Sequence, residues 1–287
     1  MVKRNSKKLS TREIYLENKE YLINLLSSSV ISHRHLGWYS PIDWLGKQPY
    51  LAVYKGKKIL AALACPPNPP QIAWIRLFTV SSSLSPEKAW QLMWPLARKK
   101  LEQDGTTNTI AIIAIQKWLW DLLGESGFSQ TYRITSLSWG PPYPDLPDSQ
   151  PGINIRDMQS GDILAVQKVD QAAFAPLWHN SLDTFEHAHK IAAIATVAEI
   201  DGQIAGYQIS TEDVWGGHLA RLAISPQYQR KGIATALVHD LLEKFKEQGC
   251  SQVTVNTQTQ NKPSLKLYKK FGFQQDRATY PVYQLKL

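Results

Sequence analysis

The feature that most limits what this chain can fold into is an internal repeat. The stretch SPEKAWQLMWPLARKKLEQDG, ending at Gly105, and the stretch QRKGIATALVHDLLEKFKEQG, ending at Gly249, are both amphipathic helix patterns closed by a glycine, 144 positions apart (249 − 105). The register continues on both sides. Arg76 to Ser81 match Arg221 to Pro226 at an offset of 145, and AVYKGKKIL around Gly56 resembles VAEIDGQIA around Gly202. Downstream, KWLWDLLGESGF ending at Phe128 lies over KPSLKLYKKFGF ending at Phe273, and WYSPID from Trp38 is similar to WHNSLD from Trp178. A chain of 287 residues, 43% of them hydrophobic, can fill two cores of roughly 100 to 150 residues each. The repeat therefore predicts one α/β unit formed twice: a basic tail over 1–10, a first unit over 11–140, a stiff linker over 141–152 and a second unit over 153–287. The linker assignment rests on PPYPDLPDSQPG, which carries five prolines in an otherwise polar stretch.

In the second copy, INIRDM reads as a short strand, and SGDILAVQKVDQAAF and LDTFEHAHKIA as helices. ATVAEIDGQIAGYQIS reads as two strands joined by a turn at Asp201 and Gly202. HLARLAIS is the next strand, ATALVHDLLEKFKEQG a helix, SQVTVNTQT a strand, SLKLYKKFG a short helix and YPVYQLKL the closing strand. Each copy is thus expected to be α/β (α+β), a mixed, mostly antiparallel sheet flanked by helices.

Between HLARLAIS and the helix after it stands QRKGIA, Gln229 to Ala234. A strand that passes through a short loop into a helix aims several unpaired N–H groups, and the positive end of the helix dipole, at one point. Such a point binds anions. Gly232 has no Cβ to hold a phosphate away, Ala234 is nearly as small, and Arg230 and Lys231 add positive charge at the rim. The alternative is an ordinary turn with a solvated Arg and Lys.

The spacing Gln229, Gly232, Ala234 directly after a strand resembles the signature of the GNAT superfamily of acyl-CoA-dependent N-acyltransferases, and NKPSLKLYKKFGF resembles that family's second signature. The resemblance covers residues 151–287; the first half is tied to it only through the repeat. It implies that the N–H groups of Arg230, Lys231, Gly232, Ile233, Ala234 and Thr235 cradle the pyrophosphate of acetyl-CoA. It further implies that the strand Leu222, Ala223, Ile224 pairs with the pantetheine amides, and that Asn261 meets the cosubstrate beyond the next strand. Tyr268 is expected to protonate the leaving thiolate, a phenol of ordinary pKa about 10 against a thiol of about 8.5. The other readings are a turn role for Asn261 and core packing for Tyr268 beside Leu267 and Phe271.

The base is less marked. Where some relatives carry a glutamate, six residues ahead of Ile224, this chain has His218, and where others carry a carboxylate on the following strand it has Asn256. His218 titrates in the right range to serve as the base; the other reading is a partly exposed histidine after a turn at Gly216 and Gly217. Glu212 and Asp213 are second choices, and His179 and His187 lie in the region that lines acceptor sites in this family.

At the matching positions the first copy has Lys88 for Gly232, Trp90 for Ala234, Leu123 for Tyr268 and Gln116 for Asn261. It also holds eight of the ten tryptophans. The expectation is a first unit that keeps the architecture and has its pyrophosphate corner filled by the indole and the lysine stem.

Composition narrows the function classes. No run of about 18 apolar residues occurs, and MVKRNSKKLSTREIYLENK is charged with no apolar stretch behind it, so neither a membrane span nor a secretory signal is expected. Two cysteines are too few for a disulfide framework or a thiolate metal site and agree with a cytoplasmic location. Of the net charge of +8, Lys3, Arg4, Lys7 and Lys8 supply four, and no nucleic-acid module accompanies them, so a nucleic-acid partner is not expected. The sequence thus predicts an acetyl-CoA-dependent N-acetyltransferase acting on a primary amine from its second unit, without a metal. The rival is a non-catalytic acyl-CoA-binding or interaction module, supported by the missing carboxylate base.

Overall fold

The computed structural model describes residues 8–147 and 152–287. They divide into two compact units: the first runs to Thr131 and takes in Pro281–Leu287, and the second is Tyr132–Tyr280. These borders differ from those read off the repeat. The closing strand of the chain starts in the second unit and ends in the first, a long-range pairing that no local pattern encodes.

The first unit holds β1 (Leu9–Glu13), α1 (Lys19–Ser28), β2 (Ile31–Arg34), β3 (Tyr50–Lys55), β4 (Lys58–Ala64), β5 (Ile72–Trp74), β6 (Leu77–Val80), α2 (Pro86–Asp104), β7 (Thr109–Ile113), α3 (Trp118–Glu125) and the start of β8 (Ser129–Trp139). Its strands are ordered β1-β3-β4-β6-β2, with β5 parallel to β7. Leu9 and Ser10, assigned to the tail from their basic surroundings, instead pair with Lys55 and Tyr54 as the start of β1. Lys3, Arg4 and Lys7 lie outside the described residues.

The second unit holds the rest of β8, then β9 (Asn154–Asp157), α4 (Ile163–Ala173), α5 (Leu182–Ile191), β10 (Ile194–Ile200), β11 (Gln203–Asp213), β12 (Gly216–Ile224), α6 (Ile233–Glu247), β13 (Val253–Gln258), α7 (Lys262–Lys270) and the start of β14 (Gln274–Lys286). The strands β9 to β12 are antiparallel neighbours, β12 is parallel to β13, and β13 is antiparallel to β8. Every element expected in the second copy is present. The helix α6 forms because Ile233, Leu237, Leu241 and Phe245, with Ala236, Val238 and Leu242, give it a broad apolar face, all buried. Each large side chain so buried contributes about 1.5–3 kcal/mol, far more than helix propensity could. Gly249, at φ +77°, ends it.

The expected linker divides. Residues 148–151 lie outside the described set. Before them, the ring of Tyr143 lies 4.8 Å from that of Trp139, its hydroxyl donates to the Ser251 carbonyl, and Leu146 packs on the second core. The segment 141–147 is therefore seated on its own unit by apolar contacts rather than standing free as a spacer.

The repeat holds at the level of strand pairing, with β6 shifted one residue from the alignment of the letters: Ser81 is the counterpart of Ser225, at an offset of 144 (225 − 81), and not of Pro226. The β3–β4 hairpin skips Leu60 between its pairs Tyr54↔Ile59 and Val53↔Ala61, and the β10–β11 hairpin skips Ala205 between Glu199↔Ile204 and Ala198↔Gly206. The skipped residues have matching partners: the Ser81 N–H donates to Leu60 O at 2.7 Å and the Ser225 N–H to Ala205 O at 2.9 Å. The parallel pair Ile72↔Thr109 likewise matches Gly217↔Val253.

Candidate active site

The strand β12 ends at Ile224, and a 3-10 turn at Pro226–Tyr228 then leads to Gln229 and Arg230. Gln229 returns its side-chain amide to the Ile224 carbonyl at 3.2 Å, which ties the loop to the strand end. Arg230 has φ +63° and Gly232 φ +84°; two left-handed residues so close turn successive N–H groups toward one side. Helix α6 starts at Ile233 with Gly232 as its N-cap, and no side chain caps it. Among the described residues, none of the N–H groups from Arg230 to Thr235 has a hydrogen-bond partner. Ile233 is 1% exposed and anchors the helix start in the core, so its N–H is held in place by packing. Gly206 permits this approach: a Cβ there would meet Ile224 Cδ1 at 2.5 Å and Ala223 O at 3.0 Å. Arg230 and Lys231 are exposed, and neither joins an ion pair among the described residues. The result is a row of six donors beside two exposed cations, the Lys231 ammonium lying 5.2 Å from the Tyr228 ring centroid, an arrangement suited to a diphosphate.

The strand leading into this loop has one unused edge. Pairing of β12 with β13 stops at Leu219↔Val255, while pairing with β11 continues to Ile224↔Gly206. The register shift at Ile209/Ser210 leaves Ala220 as the extra residue of β12, and a bulge bends a strand away from its neighbour. Because the Ser225 N–H points to β11, alternation turns the polar groups of Ala223 to β11 as well and those of Leu222 and Ile224 to the open edge. The Ile224 carbonyl is taken by Gln229, which leaves the N–H of Ile224 and both groups of Leu222 for an extended ligand bearing amides.

Tyr268, on α7, is 5% exposed and lies 5.5 Å ring to ring from Phe273, and its hydroxyl has no hydrogen-bond partner among the described residues. Burial raises its phenol above the ordinary value, so it carries its proton at neutral pH. Asn261 is the N-cap of α7, accepting from the Ser264 N–H at 3.2 Å. Its carbonyl oxygen thus serves the helix, leaving its amide N–H groups outward.

His218 lies on β12 opposite Thr254 of β13, and its Nδ1 is 2.8 Å from Thr254 Oγ1. Thr254 Oγ1 is also 3.4 Å from the Gly217 carbonyl. A hydroxyl that donates to that carbonyl accepts from His218 Nδ1–H and leaves Nε2 as the basic nitrogen. Burial lowers the His218 pKa from its ordinary value, with Asp213 opposing, so the ring is neutral near pH 7. Glu212 and Asp213 are exposed at the hairpin end. Asn256 accepts from Ser136 on β8, and His179 Nε2 is occupied by the Phe174 carbonyl at 2.8 Å.

One cluster escaped the sequence reading. Asp170 of α4 is 0% exposed and accepts from Arg221 Nε at 2.7 Å, from Arg221 Nη2 at 3.0 Å and from the Tyr207 hydroxyl at 2.5 Å. Arg221 also donates to the Trp178 carbonyl at 2.6 Å and covers the Phe174 ring at 3.7 Å. It thereby fixes β12 one residue past the bulge. Each of the three residues is unremarkable in its own segment, and only the pairing of β11 with β12 against α4 brings them together.

The corresponding corner of the first unit is built differently from the expectation. The helix α2 begins at Pro86, three residues earlier than the repeat predicts from Ile233, and only residues 81–85 separate it from β6. Pro86 has no N–H, Ser85 Oγ accepts from the Lys88 N–H at 3.2 Å, and the Ala89 N–H is bonded to Ser85 O. Lys88 points into solvent, and Trp90 turns into the core, stacked 4.9 Å from Trp94 with its Nε1 donating to Ser126. The donor row is removed by helix capping and a missing N–H, not by side chains filling the corner.

A model of the acetyltransferase (GNAT) family matches residues 162–273. An N-alpha-acetyltransferase of Sulfurisphaera tokodaii is 30% identical over 143 residues, 45% of this chain and 84% of that protein. A tandem GNAT protein from the clavulanic acid biosynthesis pathway covers 97% of this chain and 98% of its own, with a TM-score of 0.68 at 14% identity. A GCN5-related N-acetyltransferase of Sphaerobacter thermophilus covers 97% and 95%, with a TM-score of 0.67 at 13% identity. At these identities the structural likeness speaks for the fold alone. Among the described residues no helix is long and apolar enough to cross a membrane.

Proposed function

Because this chain belongs to the GNAT family of N-acetyltransferases, we propose that its second unit binds acetyl-CoA and transfers the acetyl group to a primary amine. The observation that carries the reading is the row of unpartnered N–H groups from Arg230 to Thr235 at the end of a strand whose outer edge is open. The donors take the diphosphate, and Leu222 and Ile224 hold the pantetheine arm as a further strand would be held. Acetyl-CoA supplies the activated thioester. The chain supplies position, a proton for the leaving thiolate from Tyr268, and a neutral imidazole at His218 to take a proton from the acceptor's ammonium, directly or through water, so that the free amine attacks the thioester carbonyl. The α-amine of a peptide leads the acceptors to be tried, since the relative from Sulfurisphaera tokodaii is an N-alpha-acetyltransferase. The reading is tested by measuring thiol release from acetyl-CoA against peptides with free N-termini, lysine side chains, polyamines and amino acids. Tight acetyl-CoA binding without release against any of them would leave the second unit a binding module.

Two variants test the assigned roles. Tyr268→Phe is expected to lower kcat about 100-fold with little change in acetyl-CoA affinity, in line with loss of a general acid; unchanged turnover removes Tyr268 from the chemistry. For His218 the sign is set by its depressed pKa. The basic form exists above that pKa, so kcat/KM should fall on the acid side with a midpoint below the ordinary histidine value of about 6.5. His218→Gln should remove that acid limb and lower the plateau. A pH profile identical to that of the unaltered protein would assign the base elsewhere.

A further inference from the structure

The two units match in their strand pairing, and the match shows what stands in the first unit where the second has an open edge. Ala61↔Val80 to Ala64↔Leu77 correspond to Gly206↔Ile224 to Ile209↔Arg221, so β6 is the counterpart of the outer half of β12. The Ser81 and Ser225 N–H bonds fix the same alternation in both, which makes Phe78 the counterpart of Leu222 and Val80 that of Ile224. In the second unit no strand among the described residues lies on that edge. In the first, β2 lies there antiparallel: Ile31↔Val80, Ser32↔Thr79, His33↔Phe78 and Arg34↔Leu77, with the His35 N–H extending the contact to Arg76 O at 3.0 Å.

We propose that β2 is a built-in occupant of the first unit's pantetheine groove, standing permanently where the second unit would take the arm of acetyl-CoA, so that the chain binds one acyl-CoA and not two. This rests on the reading of β12 as the pantetheine edge. The side chains of β2 secure it. His33 is 0% exposed with Nε2 at 3.1 Å from the Ile75 carbonyl. Ser29, just before the strand, shares a hydrogen bond of 2.7 Å with Thr79, and Arg34 reaches back to the Leu26 carbonyl at 3.1 Å. A free ligand would have to displace four residue pairs of backbone already bonded. It would then find Pro86 and the Ser85 cap where a diphosphate needs donors.

The test is backbone amide exchange with and without acetyl-CoA, together with binding stoichiometry by calorimetry. The N–H groups of Phe78 and Val80 should be protected in the free protein by a factor of about 100 or more and be unchanged by acetyl-CoA, whereas those of Leu222 and Ile224 should exchange fast until it is added. Calorimetry should give one site, and Gly232→Leu should weaken that site at least about 100-fold. Fast exchange at Phe78 and Val80 that slows on adding acetyl-CoA, or one site of unaltered affinity in Gly232→Leu, overturns the proposal. Phe78 and Val80 protected as expected, with no acetyl-CoA bound to the unaltered protein, would instead overturn the reading of the second unit and leave β2 a strand on β6 with no cosubstrate arm to stand in for.

Discussion

Asp170→Ala is expected to destabilise the second unit by about 3–5 kcal/mol, the range seen when one partner of a buried ion pair is removed. The carboxylate is fully enclosed, and the Arg221 side chain is only 14% exposed. Burial disfavours the Arg221 charge, but Asp170 and Tyr207 more than offset this and hold its pKa above the ordinary value. Burial, and then the Asp170 charge, push the Tyr207 phenol well above its own ordinary value. Deleting Asp170 leaves the Tyr207 hydroxyl without its acceptor, and leaves the guanidinium with the Trp178 carbonyl alone in a largely enclosed space. Because much of the loss comes from the stranded cation, Asp170→Leu combined with Arg221→Met should recover a large part of the stability. Urea unfolding followed by a probe in the second unit checks both variants. A loss under about 1 kcal/mol for Asp170→Ala would mean that water solvates Arg221 and that the pair is not structural.

Gly232→Leu is expected to weaken acetyl-CoA binding by at least about 100-fold, roughly 2.7 kcal/mol, while costing the fold only about 1–2 kcal/mol for the left-handed conformation. At φ +84° glycine is the residue that fits without strain, and it presents its own N–H in the middle of the donor row. A larger side chain both strains the loop and stands in front of neighbouring donors. Thermal shift with increasing acetyl-CoA separates the two effects, since the fold cost lowers the melting point of the ligand-free protein whereas lost binding removes the ligand-dependent rise. Gly232→Ala adds the least bulk and should fall between. Lys88→Ala is the control on the first unit: its side chain is exposed beside a capped helix start, and ligand affinity should not change. A normal ligand-dependent rise in Gly232→Leu would place the diphosphate elsewhere.

Much of the second unit could be read in advance because its signals are local. Asp201 and Gly202 join β10 to β11 as a turn pair should, and Gly249 ends α6. The spacing of Gln229, Gly232 and Ala234 marked the loop, and the structure gives the glutamine its own task, a bond to the end of the strand. Asn261 stood out in the sequence as a candidate but not as the cap of α7, because capping depends on the chain reversing at that residue. The corner of the first unit was misjudged for a similar reason. Aligned letters put Trp90 over Ala234, yet α2 starts a turn early and directs the indole inward against Trp94.

By itself the sequence determined that one α/β unit is formed twice, where the strands and helices of the second copy fall, and which loop collects unpaired N–H groups, because all of these follow from periodicity, turn residues and glycine placed within a few residues of each other. Only the tertiary structure decided that β12 parts from β13 after Leu219, that β2 lies on the matching edge of the first unit, and that Asp170, Tyr207 and Arg221 share one buried network. Those outcomes depend on which strand edge meets which partner across tens of residues, and the free energy of such pairings lies in burial and hydrogen bonding that no single segment carries.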